Sequence, residues 1–184
     1  MILPKAFNNS WNVEKDGPLI KFEYATLQST GFSEEVKQFL SLAGLPETPA
    51  PYLDFTSSQG VLKPITSIFS MSEEFQNCWF LGSTAAGDPI CLTKETENVV
   101  FLDKSNGDKK VFINSSINQF AECLLVYSIM IDQAVQLNGE DAFIDNDIPE
   151  SVIKWLKERL NNIDPKCMGN KCFWATEVGG FYGY

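Results

Sequence analysis

Two changes of hydrophobic period divide this chain and constrain its fold more tightly than any other feature. From Pro51 to about Phe112, apolar residues recur at every second position in short β-branched and aromatic runs, the alternation of strands that bury one face. On either side the spacing is helical. Ser33 stands as an N-cap before Glu34 and Glu35, and Val36, Phe39, Leu40 and Ala43 follow at i, i+3, i+4, i+7 until Gly44 and Pro46 stop the helix. Ser116 and Gln119 have capping-box spacing, after which Ile117, Phe120, Ala121, Leu124, Leu125, Ser128, Ile131 and Val135 trace one long face. A further helix is expected over Asp147 to Leu160, with Pro149 in its first turn and Val152, Trp155, Leu156 and Leu160 on a shared face.

Within the middle region the expected strands are Tyr52 to Thr56, Val61 to Ile65, Phe75 to Gly82, Pro89 to Thr93, Val99 to Asp103 and Lys110 to Ile113, joined by short polar turns such as Gly87 with Asp88 and Asn106 with Gly107. Local hairpins make the sheet antiparallel. Residues 3 to 28 hold two apolar runs around Lys15 to Pro18, of which Leu19, Ile20, Phe22 and Tyr24 read as an edge strand or loose hairpin. The aromatic, glycine-rich tail from Cys172 to Tyr184 reads as a last strand. Helix, meander, then helices describe an α+β fold: an antiparallel β-sheet meander with helices packed against it. No repeat or flexible linker interrupts the 184 residues, so one domain over 1–184 is expected.

The chain contains no histidine. That removes the commonest general base near neutral pH, the commonest metal ligand, and every Ser-His or Cys-His nucleophile pair. No phosphate-binding loop or dinucleotide fingerprint occurs. Cys78, Cys91, Cys123, Cys167 and Cys172 form an odd, scattered set that suits buried reduced thiols. Cys167 and Cys172 alone have a spacing that invites zinc or a disulfide, but two further ligands are wanting. No catalytic residue, metal or cofactor is therefore expected. Acidic pairs are too numerous to single out a two-carboxylate hydrolase, which stays open as an alternative.

A formal charge of −10 disfavours nucleic acid and anionic membranes as partners and would steer a basic one inward, although it also serves solubility. No stretch reaches the roughly 20 apolar residues of a membrane span, and the first ten residues lack a signal-peptide core, so a cytoplasmic protein is expected. Glu140, Asp141, Asp145, Asp147 and Glu150 place five acids within eleven residues around Ala142, Phe143 and Ile144, with no Lys or Arg. The segment reads either as a binding patch with steering charges or as a solvated loop entering a helix whose N-terminus prefers acids, the latter favoured for Asp147 and Glu150. Glu73 and Glu74, beside Met71 and Phe75, repeat the pattern on a smaller scale, and Asp54 and Asp88 fit either reading.

Several blocks carry a resemblance. They are Gly44, Leu45 and Pro46; Leu81, Gly82 and Ser83 with Gly87 to Leu92; Val99 to Asp103; and, most specifically, Phe112 to Ser116 followed by Gln119 to Leu124. Across residues 32 to 137 the pattern resembles the SUKH superfamily, which includes fungal glucan-synthesis regulators and many bacterial immunity proteins. The loop Thr93 to Asn98 departs from that pattern, and residues before 30 and after 140 carry no signal of it. Each block also has a physical reading: Gly82 and Gly87 would let the chain turn tightly between strands, and Asn114 would bond its own backbone at the strand-to-helix junction. The resemblance implies a non-enzymatic bacterial immunity protein of a polymorphic toxin system, a monomer or weak dimer that binds and neutralises a protein toxin, often a basic nuclease domain. A regulatory scaffold of the same fold is the alternative. Glu73, Glu74, Glu140, Asp141, Phe143, Asp145 and Asp147 are the candidate contact residues.

Overall fold

The computed structural model describes residues 1–182. The chain begins with two short helices, α1 (Pro4–Ser10) and α2 (Val13–Asp16), then a two-residue strand β1 (Leu19–Ile20) and helices α3 (Tyr24–Gln28) and α4 (Glu34–Gln38). The expected edge strand thus survives only at Leu19 and Ile20, and Phe22 and Tyr24 lie outside it. The physical reason is local: the Phe22 N–H donates to the Leu40 carbonyl at 3.0 Å while its ring enters the core, and Tyr24 opens α3. In α1, Pro4 suits a first helical turn, and Phe7 and Trp11, four apart, stack at 5.7 Å on the buried face.

Ser33 caps α4 as expected, its hydroxyl accepting from the Val36 N–H at 3.3 Å. The helix then widens into a π-turn over Phe39–Ala43. Gly44 ends it at φ +79°, where a side chain would overlap the Ile20 carbonyl, so the chain can pass on to β2 (Leu45–Pro46), antiparallel to β1.

The sheet itself is the expected meander, five antiparallel strands in sequential order: β3 (Lys63–Pro64), β4 (Cys78–Ser83), β5 (Pro89–Thr93), β6 (Val99–Asp103) and β7 (Lys109–Asn114). Three expected strands shrink, each for a local reason. Tyr52–Thr56 keeps one bridge, Asp54 to Ser83, because Tyr52 sits at φ +55° and Asp54 folds back on the Thr56 N–H and hydroxyl at 2.7 and 2.6 Å. Val61–Ile65 is cut to two residues at Pro64, which has no N–H for the ladder. Phe75 lies in a separate 3₁₀ turn before β4. Gly82 does not turn the chain but lies inside β4 at a register shift, where a Cβ would strike the Asp54 carbonyl and the Phe55 ring.

Alternation along the strands sends side chains to two faces. Leu81, Ile90, Leu92, Val99 and Ile113 join the main core beneath α5 (Ile117–Asn138) and α6 (Glu150–Ile163), with Phe55 and Phe120 in edge contact at 5.9 Å. Cys78, Cys91, Val100 and Leu102 face the other way, into a small cluster closed by Ile65 and Phe75. By length and composition α5 reaches membrane-spanning range, contrary to the sequence expectation that no stretch would; half of its apolar window is buried in this fold, as suits a core helix. The expected terminal strand is instead helix α7 (Phe173–Gly180), which buries Phe173, Trp174 and Val178; Gly183 and Tyr184 of that expectation lie outside the described residues.

A buried polar knot joins the late elements to the sheet. Asn114, at the end of β7, does not bond its own backbone. Its amide donates to Asp164 at 3.2 Å and to the Cys123 sulfur at 3.4 Å, and its carbonyl accepts from the Trp174 indole at 2.8 Å. Asp164, 2% exposed, also accepts from the Ser115 N–H and hydroxyl and the Lys166 N–H. Replacing Asp164 by Ala strands these buried donors and should cost about 3 kcal/mol or more in chemical denaturation; a loss below about 1 kcal/mol would contradict the assignment. Gly82→Ala should cost about 2 kcal/mol through overpacking against Asp54, read the same way.

Candidate functional site

The acidic segment is an ordered loop at the C-terminal end of α5. Gly139 turns the chain at φ +97°, and successive turns follow, with the Asp145 N–H donating to the Asp141 carbonyl at 2.8 Å and the Asp147 N–H to the Ala142 carbonyl at 2.8 Å. Ala142 and Ile148 are buried and anchor the loop. Phe143, half buried, is its hub, 6.1 Å from the rings of both Tyr52 and Tyr127 and 6.5 Å from Phe181. Around it Glu140, Asp141, Asp145 and Asp147 are exposed, and among the described residues none pairs with a lysine or arginine. Ile144 projects from their midst, 75% exposed. The arrangement is an apolar tip ringed by uncompensated carboxylates, which attracts and orients a cationic surface.

Glu73 and Glu74 are exposed too, but they stand on the turn whose Phe75 closes the cluster on the reverse face of the sheet. The structure does not bring them together with the 140–147 loop. Asp54 is satisfied by its own turn, and Asp88 by the Thr84 hydroxyl and the Lys104 N–H at 3.3 and 3.1 Å. The loop Thr93 to Asn98 is tied inward: Glu97 accepts from the Ser33 N–H and hydroxyl at 2.6 and 2.7 Å, and Lys94 donates to the Thr30 carbonyl with its ammonium 4.6 Å from the Phe32 ring centre.

Beside the acidic loop, and sharing Tyr52 with it, runs a groove of about 740 Å³ that the sequence reading missed. Phe101 and Val111 of the sheet, Phe173, Thr176 and Glu177 of α7, and the Thr84–Ala86 loop line it. Glu177 is half buried there, and burial raises its carboxyl above the ordinary glutamate range. The Tyr127 hydroxyl behind the loop is likewise pushed up, chiefly by burial and then by the neighbouring charge of Glu177. The one sequence signal for this groove is that Glu177 is the sole charged residue between Cys172 and Tyr184.

All five cysteines are free thiols, four of them buried. Among the described residues, no three side chains of the metal-binding types His, Cys, Asp and Glu gather in one place.

Comparison with known proteins adds a family. The SUKH-4 immunity protein family matches residues 13–179; no curated protein and no solved structure matches the chain. The match extends past the 32–137 region on both sides, into α2 and most of α7, where the sequence read by itself shows no family pattern. Taking in the sheet, the core helices and the candidate surface together, it establishes that the chain belongs to the SUKH-4 immunity protein family.

Proposed function

We propose that this chain neutralises its toxin by binding it, performing no chemistry of its own, and that the 140–147 loop with the adjoining groove is the contact surface. Membership of an immunity family implies a protein toxin as partner. The observation that carries the finer reading is the exposed Ile144 and half-buried Phe143 set within Glu140, Asp141, Asp145 and Asp147 on an ordered loop. Interfaces combine an apolar centre with a polar rim, and a preordered loop loses little conformational freedom on docking. A chain of charge −10 complements a basic partner, and a domain that cleaves nucleic acid must present cations to phosphates. The toxin is on this reading a cationic nuclease domain, met in the cytoplasm by a protein that is a monomer or weak dimer. Glu73 and Glu74, on the far face, add to the long-range field rather than the contact.

The groove does not favour a hydrolase. Two-carboxylate catalysis needs a pair of acids across the scissile bond. Asp88 is engaged by Thr84 and, across to the next loop, by Lys104, and Asp103 by Ser105, which leaves Glu177 as the one acid of the groove without such a bond.

The test is binding to the toxin domain encoded beside this protein's gene, measured by surface plasmon resonance. Asp141→Lys with Asp145→Lys should weaken Kd about tenfold or more, mainly by slowing association, and the effect should shrink at high salt. Both sites are exposed, so the change in stability should stay within about 0.5 kcal/mol. Unchanged affinity in a folded double variant would remove the loop from the interface.

A further inference from the structure

Among the described residues, Glu177 is the one acid of the groove that no hydrogen bond or ion pair of this chain answers. It stands on α7 beside Thr176, in a recess whose walls include Tyr52, Phe101 and Phe173. Among the described residues no donor hydrogen-bonds it and no cation lies within salt-bridge distance. A carboxylate so placed gives up hydration without a compensating partner. The other acids of the lining accept hydrogen bonds, Asp88 from the Lys104 N–H and Asp103 from the Ser105 hydroxyl. Of its lysines, Lys110 turns its ammonium to the reverse face, 6.0 Å from the Phe75 ring centre, Lys109 lies across the ladder from Asp103, and Lys171 is exposed at the rim; none of them is ion-paired with Glu177.

We infer that the groove receives an arginine side chain of the toxin, with Glu177 as its counter-ion. This deepens the toxin-binding reading and rests on it. Guanidinium is planar and weakly hydrated, stacks on aromatic faces and bonds a carboxylate through two parallel N–H groups, so it suits an acid among Tyr52, Phe101 and Phe173 better than a compact ammonium does. About 740 Å³ lies within the range of ligand sites and accommodates both the side chain and part of the loop that carries it. Tyr52, shared between groove and acidic loop, makes the two one continuous surface. The loop would steer the toxin, and the groove would hold it.

Two arms test this on the full chain. In the first, ¹⁵N-labelled protein is titrated with the blocked tripeptide Gly-Arg-Gly and with its uncharged citrulline counterpart. Saturable amide shifts at Ala85 and Thr176 are expected with arginine alone, and they should vanish in Glu177→Gln, whose Tm at neutral pH should equal or exceed the parent's because an unpaired, half-buried charge is gone. Equal shifts with citrulline, no shifts with arginine, or undiminished shifts in Glu177→Gln would each overturn the proposal. In the second arm, Glu177→Gln should weaken Kd for the neighbouring toxin at least tenfold. An unchanged Kd, while the Asp141 and Asp145 reversal still weakens binding, overturns the arginine site and leaves the binding function standing. Failure of the parent protein to bind the toxin overturns the function and this inference together.

Discussion

The carboxylate of Asp164 is the interaction on which the arrangement of the later half depends. A buried acid is ordinarily expensive, yet both oxygens here accept from neutral donors of Ser115, Asn114 and Lys166, so the charge is spread over a closed hydrogen-bond set with no cation needed. The set fixes three things at once: the end of β7 and start of α5 at Asn114 and Ser115, the C-terminus of α6 at Asp164, and α7 through the Trp174 indole on Asn114. Because Trp174 lies between Phe173 and Glu177 on the same short helix, holding its indole also sets the wall of the groove. The knot is structural, and the surface inherits its geometry.

That geometry separates two kinds of negative charge. On the 140–147 loop the carboxylates are solvated, so each contributes little to a static contact but together they shape a field that reaches about a Debye length into solution. Glu177 is the opposite case, a half-buried acid whose value depends on what meets it. On the proposed reading the two act in sequence: exposed charge speeds association, and the half-buried acid, once paired, slows dissociation. Phe143 and Tyr52 join the two regions mechanically, since the loop hub and the groove rim are in ring contact.

The meander and the two long helices were legible in the sequence because each is long enough for its period to show. The short elements were not. α1 spans seven residues and α7 eight, too few for a helical face to stand out, and in α7 the glycine-rich aromatic tail looks strand-like until Phe173, Trp174 and Val178 find the core. Asn114 is legible as a junction residue, but its partners Asp164 and Trp174 lie 50 and 60 positions further on, beyond any local pattern. The acidic loop was legible because charge and exposure are composition-level properties. The groove was not, because its walls come from residues near 52, 85, 101, 111 and 175, which only the folded chain assembles.

On the proposed reading, neutralisation is stoichiometric binding. The most direct measurement is a titration of the toxin's own catalytic activity with this protein. The expected result is a sharp end point at a fixed molar ratio, with full toxin activity recovered when the complex is dissociated in high salt. Loss of toxin activity at substoichiometric amounts, or a toxin that stays inactive after separation, would show that this chain alters its target chemically and does not act by binding alone.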